Sequence, residues 1–137
     1  MTQNIHQKFL RGELLNARCP SRDMLKRVTS RWSLLILLAL KQEVLRFSEL
    51  RRRIGGISER MLAQTLRNME QDGYIQRNDY QEVPPRVEYA LTPFGREAEQ
   101  KISALADWME DNVSVITQHR QQFEQRQEQD KTDTTQS

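Results

Sequence analysis

Arg60, Gln64 and Arg67 are spaced so that a helix would carry all three on one face. Arginine and glutamine can each make two hydrogen bonds to a purine edge in the major groove of duplex DNA. Ser58 stands just ahead of them, where a hydroxyl caps a helix and serves a phosphate oxygen better than it reads a base. Thr65 is expected on a flank of the same helix, and Arg51, Arg52 and Arg53 crowd the segment before it. Further on, Arg77 and Arg86 are candidate phosphate contacts, although Glu82 is an unwelcome neighbour for Arg86. Taken alone, an Arg/Gln stripe more often describes an ordinary solvated face. The elements that would hold it decide between the two.

Those elements lie between Arg46 and Leu91. Leu45 to Phe47 reads as a short extended piece able to pair with a hairpin. Ser48 is expected to cap the next helix, with Phe47 as a hydrophobic staple, Glu49 in the first turn, and Leu50 and Ile54 facing inward. Gly55-Gly56 supplies a positive-φ stop. Ser58 caps a further helix whose inward stripe is Leu62, Leu66 and Met69, and Gly73 ends it. Ile75 to Tyr80 and Val87 to Leu91 alternate with period two on either side of Pro84-Pro85, which predicts a hairpin with a stiff tip. A helix pair followed by a hairpin predicts a mainly α, winged helix-turn-helix fold. One helix would lie in the major groove and the β-wing on the flanking backbone.

Outside that segment, apolar residues from Ile5 to Leu15 suggest a helical arm over residues 1–18. Cys19-Pro20 opens a helix, and Trp32 to Leu40, apolar on nearly all sides, should be the hub of the core. The compact DNA-binding unit is expected over residues 19–93. Thr92-Pro93 then starts a long helix over residues 94–124, in which Ile102, Met109, Ile116 and Phe123 recur every seven residues with Leu105 beside them. Such a stripe either packs on its own chain or forms a homodimer seam, and its length favours the seam. From Gln125 onward apolar residues vanish, predicting a disordered tail over residues 125–137.

The 137 residues suit one domain and carry a net charge of only +2, which conceals an asymmetry. Residues 1–96 hold 17 lysines and arginines against 10 acids, a net of +7, whereas residues 97–137 hold 4 against 9, a net of −5. A basic body with an acidic end fits a protein that meets a polyanion through one face. Trp32 to Leu40 is about half the roughly 20 residues needed to cross a bilayer, so no membrane partner is expected. The N-terminus lacks a signal-peptide core, and a single cysteine points to the reducing cytoplasm. An enzyme is not expected: His6 and His119 are isolated, and no zinc spacing, phosphate-binding glycine loop or nucleophile elbow is present. No metal or cofactor is anticipated.

Cys19-Pro20, Arg31-Trp32, Arg46-Phe47-Ser48-Glu49-Leu50, Gly56-Ile57-Ser58, Met61-Leu62, Gly73, Pro84-Pro85-Arg86-Val87-Glu88-Tyr89 and Leu91-Thr92-Pro93 together resemble the HxlR family of bacterial regulators. The chain departs from the family's usual Gly-Gly-Lys before the tryptophan with Thr29-Ser30-Arg31, which touches only a local turn. The resemblance implies a dimeric winged-helix transcription factor that binds double-stranded DNA through a palindromic operator. It also implies a sensing role for Cys19 toward a small electrophile or oxidant. Residue chemistry is compatible with that, since a helix N-terminus with Arg18 and Arg22 nearby favours thiolate; a small residue filling a gap is the other reading of a lone cysteine. The other function to weigh is a winged-helix interaction adaptor that no longer binds DNA. The arginines at positions 51, 52, 53, 60 and 67 favour nucleic acid, and the lack of exposed aromatic platforms disfavours RNA.

Overall fold

The computed structural model describes residues 13–136. Its order is α1 (Pro20–Val28), α2 (Arg31–Ala39), β1 (Leu45–Arg46), α3 (Phe47–Ile54), α4 (Glu59–Gln71), β2 (Ile75–Asp79), β3 (Val87–Leu91), α5 (Pro93–Asp111) and α6 (Val113–Gln136). The fold is a mainly α winged helix-turn-helix. β3 lies between β1 and β2 in an antiparallel sheet, with Leu45 opposite Tyr89 and Ile75 opposite Leu91.

Local chemistry explains most of the boundaries. Pro20 begins α1 at a position where its missing N–H costs nothing. Ser30 Oγ accepts from Ser33 N at the start of α2, and Ser58 Oγ accepts from Met61 N at 3.1 Å at the start of α4. Between α3 and α4 the chain turns through Gly55 and Gly56 at φ +68° and +75°, a region that side-chain-bearing residues avoid. The start of α3 differs from expectation. Arg46, not Ser48, is its N-cap, because β1 delivers the chain in extended form up to Arg46, and Glu49 Oε1 accepts from Arg46 N at 3.0 Å.

α2, α3, α4 and the sheet enclose one core, with Ile36, Leu37, Leu50 and Leu62 fully buried and Leu45, Ile75, Tyr89 and Leu91 closing it from the sheet. The Leu62, Leu66 and Met69 stripe faces inward as expected. α5 begins against this body. Thr92 Oγ1 accepts from Gly95 N at 2.9 Å and donates to Gly73 O at 2.6 Å, and Phe94 stacks on Tyr74 with ring centroids 5.1 Å apart.

Residues up to Ile102 and from Ser103 onward form separate compact units. Three expectations change here. Of the N-terminal arm, Ile5, Phe9 and Leu10 lie outside the described residues, while Leu14 and Leu15 sit in turns. The long helix is interrupted at Asn112, whose side-chain amide donates to Trp108 O at 2.8 Å while its backbone N–H goes to Met109 O. An asparagine that offers the backbone a competing partner is a natural place for a helix to break. The stretch after Gln125, expected to be disordered, continues α6 to Gln136 as a fully exposed helix. Its Gln, Glu, Arg and Lys are good helix formers, and Thr132, Thr134 and Thr135 donate to the carbonyls four residues back.

Candidate nucleic-acid interface

The burial of Leu62, Leu66 and Met69 turns the opposite face of α4 to solvent, and Arg60, Gln64 and Arg67 are all exposed there. Among the described residues neither Arg60 nor Arg67 makes an ion pair or side-chain hydrogen bond. Gln64 Nε2 donates to Asn68 Oδ1 at 3.0 Å, one turn along the helix. Thr65 does not belong to this face. It is 6% exposed and its hydroxyl donates to Met61 O at 2.7 Å, because a residue three after Leu62 falls over the core rather than on a flank. Thr65 is therefore removed from the candidate contacts.

The cations of α3 divide by role. Arg51 donates to Glu59 Oε1 at 2.9 Å and to Ile57 O at 3.4 Å, tying α3 to the head of α4. Arg53 donates to both Glu43 oxygens at 2.7 and 2.8 Å. Arg52 is exposed and unpaired among the described residues. Ser58 is exposed as well as capping, so its hydroxyl proton remains available to an outside acceptor.

In the wing, Arg86 is held more firmly than a loop cation would be. Its guanidinium stacks 3.8 Å from the Tyr80 ring centroid, with Glu88 Oε1 at 3.2 Å and Glu82 Oε1 at 3.7 Å. Tyr80 completes the cage by donating to Glu88 Oε2 at 3.2 Å. Arg77 lies across from Tyr89 in the ladder, 3.8 Å from Asp79 Oδ2. It shares a cleft between α4 and the hairpin with Arg67 and Glu70. The structure thus brings Arg67 and Arg77 together, whereas Arg86 sits among carboxylates.

Two contributors were not legible in the sequence. Arg27, on α1, donates to Asp72 Oδ2 at 2.7 Å, to Asn68 O at 3.2 Å and to Gln71 Oε1 at 3.1 Å, bracing the far end of α4 across more than 40 residues of chain. Tyr80 is the other: period two marked it as a strand residue, but nothing marked its partner.

Cys19 is the residue before α1 and is partly exposed. Its Sγ lies 3.1 Å from Ser21 Oγ and accepts from Glu13 N at 3.0 Å. The Ser21 hydroxyl first, then the Glu13 and Ser21 backbone N–H groups, hold the thiol below its ordinary pKa. The expected help from Arg18 and Arg22 is not among the causes: Arg22 donates to Leu14 O, and the charge that acts on the thiol is that of Glu13, which opposes ionisation.

Among the described residues no group of three His, Cys, Asp or Glu is placed to hold a metal ion, and no helix is long and apolar enough to cross a membrane.

Comparison with known proteins follows this geometry. Residues 27–117 match the HxlR-like helix-turn-helix family. The chain is 52% identical over 113 residues to the uncharacterized HTH-type transcriptional regulator YtfH of Escherichia coli (strain K12), across 82% of this chain and 90% of that protein. The solved structure of ytfH from Salmonella typhimurium is similar with a TM-score of 0.77 at 53% identity, covering 80% of this chain and 98% of that one. The redox regulator HypR in its oxidized form is similar with a TM-score of 0.63 at 37% identity, covering 69% and 97%.

Proposed function

The chain belongs to the HxlR-like helix-turn-helix family and is a helix-turn-helix transcriptional regulator; from that premise we propose that it binds a palindromic operator as a homodimer in the cytoplasm, with α4 in the major groove. The supporting observation is the exposed, unpaired pair Arg60 and Arg67 flanking Gln64 on the face of α4 opposite the core. Two such side chains, free of internal partners, can meet guanine edges without first breaking an ion pair. Ser58, Arg52 and Arg77 contact phosphates in this reading, and Arg51 acts mainly through the seat of α4. Residues 19–93 form the DNA-binding unit, and the helical end from residue 94 supplies the dimer contacts, including Leu105, Met109 and Ile116.

Thiol modification of Cys19 is the second part of the proposal. Its support is the hydrogen-bonded, partly exposed sulfur at the head of α1 and the likeness to a redox regulator. With one cysteine per chain, modification means an adduct, a mixed disulfide or a bridge between two subunits.

Footprinting across the region upstream of the chain's own gene locates the operator. Arg67→Ala should then weaken binding to it by about 1–3 kcal/mol and relax preference at one base pair in each half-site. Unchanged affinity would move Arg67 off the interface. Titrating operator binding with diamide tests the switch, and identical responses from the wild type and Cys19→Ser would remove Cys19 from it.

A further inference from the structure

A cleft of about 400 Å³ lies between α4 and the hairpin, walled by Ala63, Leu66, Arg67 and Glu70 on the helix and by Arg77 and Tyr89 on the strands. Positions 63, 67 and 70 follow the steps of four and three residues that keep side chains on one helix face. Arg77 and Tyr89 are directly opposite in the β2–β3 ladder, so their side chains leave the sheet on the same side. Tyr89 is only 9% exposed, yet its hydroxyl has no hydrogen-bond partner among the described residues. A phenol buried to that degree ordinarily finds one. Arg67 makes no ion pair or side-chain hydrogen bond among the described residues, and Arg77, with Asp79 Oδ2 at 3.8 Å, makes no side-chain hydrogen bond among them.

Two guanidiniums and a phenol around one space are hydrogen-bond donors whose complement is an anion with several oxygens. A phosphate monoester offers three terminal oxygens and close to two negative charges at neutral pH. A phosphate diester, as in a nucleic-acid backbone, offers two free oxygens and a single charge, and leaves one of the three donor groups unanswered. Glu70 is exposed, so solvent screens its charge, and as a carboxylate it can only accept, which suits a hydroxyl on the carbon chain bearing the phosphate. We propose that this cleft binds a small hydroxylated phosphate monoester, its phosphate on Arg67, Arg77 and the Tyr89 hydroxyl and its own hydroxyl on Glu70. The volume is within the usual range for small-molecule sites. This inference goes beyond the DNA-binding reading: it stands whether or not Arg67 also reads a base, and its test involves no DNA.

Isothermal titration of the full chain with glycerol 3-phosphate and ribose 5-phosphate is the direct measurement. Glycerol lacks the phosphate, and dimethyl phosphate carries a diester in its place. The expected result is saturable heat for at least one monoester, at least about tenfold tighter than for glycerol or dimethyl phosphate. Tyr89→Phe removes one oxygen and keeps the ring in the core, and it should weaken that binding at least about fivefold. Arg77→Gln should weaken it at least about tenfold, whereas Lys26→Gln, which removes an exposed cation on α1, should leave it unchanged. Absence of saturable heat with both monoesters, undiminished binding in Tyr89→Phe, or a loss in Lys26→Gln as large as in Arg77→Gln would overturn the proposal. Equal binding of dimethyl phosphate would also overturn it and make the cleft a seat for a backbone phosphate. Circular dichroism shows whether each variant folds; if Arg77→Gln does not, the ligand series on the wild type and Tyr89→Phe carry the decision.

Discussion

At the scale of single residues, the interface sorts arginines by what already holds them. Arg51 and Arg53 are committed to Glu59 and Glu43, while Arg52, Arg60 and Arg67 are not. Freeing a paired arginine for DNA costs the existing interaction, so unpaired cations should dominate affinity. Arg86 is an intermediate case, since Tyr80 fixes its plane while Glu82 and Glu88 compete for it. Tyr80→Leu removes the aromatic platform and should weaken operator binding by about 0.5–1 kcal/mol, less than Arg67→Ala, as read by anisotropy titration. Cys19 gives a prediction in pH. Hydrogen bonds to the sulfur stabilise thiolate, so its folded pKa is below that of an unstructured cysteine and reactivity persists to lower pH. Iodoacetamide labelling of the folded chain should therefore show a midpoint below that of the urea-unfolded chain, and Ser21→Ala should move it upward. Coincident midpoints in all three samples would show that the Ser21 contact does not tune the thiol.

At the scale of elements, the seating of α5 on the body is unusually intolerant of added volume. A Cβ placed on Gly95 would meet Tyr74 O at 1.9 Å, and that oxygen is backbone, which cannot swing aside. Gly95→Ala should destabilise the fold by about 1–3 kcal/mol through overpacking, despite alanine's better helix propensity. Urea unfolding checks this, and a variant as stable as the wild type would mean that α5 can shift away from Tyr74 freely. Elsewhere in the fold, local pattern conveys the element boundaries well. Ser58, Gly55-Gly56, Gly73 and Thr92-Pro93 were legible because caps, positive-φ turns and N1 prolines act within a few residues of where they are written. Ser48 misled because a two-residue strand reached Arg46 and set the helix start two residues earlier. Thr65 misled because a hydroxyl reads as polar in sequence, whereas its position in α4 lies over the core and its proton bonds inside the helix.

For the whole molecule, the helical end exposes a chain of large apolar side chains. Leu105, Trp108, Met109, Val113 and Phe123 are each more than 40% exposed. Ile102, which the heptad pattern grouped with them, instead packs against the core of its own unit. The homodimer reading thus rests on the residues beyond it. If they form the seam, Leu105→Glu with Met109→Glu should give a monomer by sedimentation, lose cooperative operator binding, and leave the secondary structure of the body unchanged. A double variant that still sediments as a dimer would place the seam elsewhere.

Sequence alone determined the element order from α1 to the start of α5, the inward stripe of α4, the hairpin and the polar face that carries Arg60, Gln64 and Arg67, since these follow from periodicity and short-range turn chemistry. It also carried the family through motifs spread from Cys19 to Pro93. Only tertiary structure decided which arginines are free and which are paired, because partners such as Arg53 and Glu43 or Arg27 and Asp72 meet through packing and leave no shared spacing. It likewise buried Thr65, drew Ile102 into the body and gathered Arg67, Arg77 and Tyr89 around one cleft. Burial and pairing are properties of surfaces brought together in space, and a linear pattern records each surface separately.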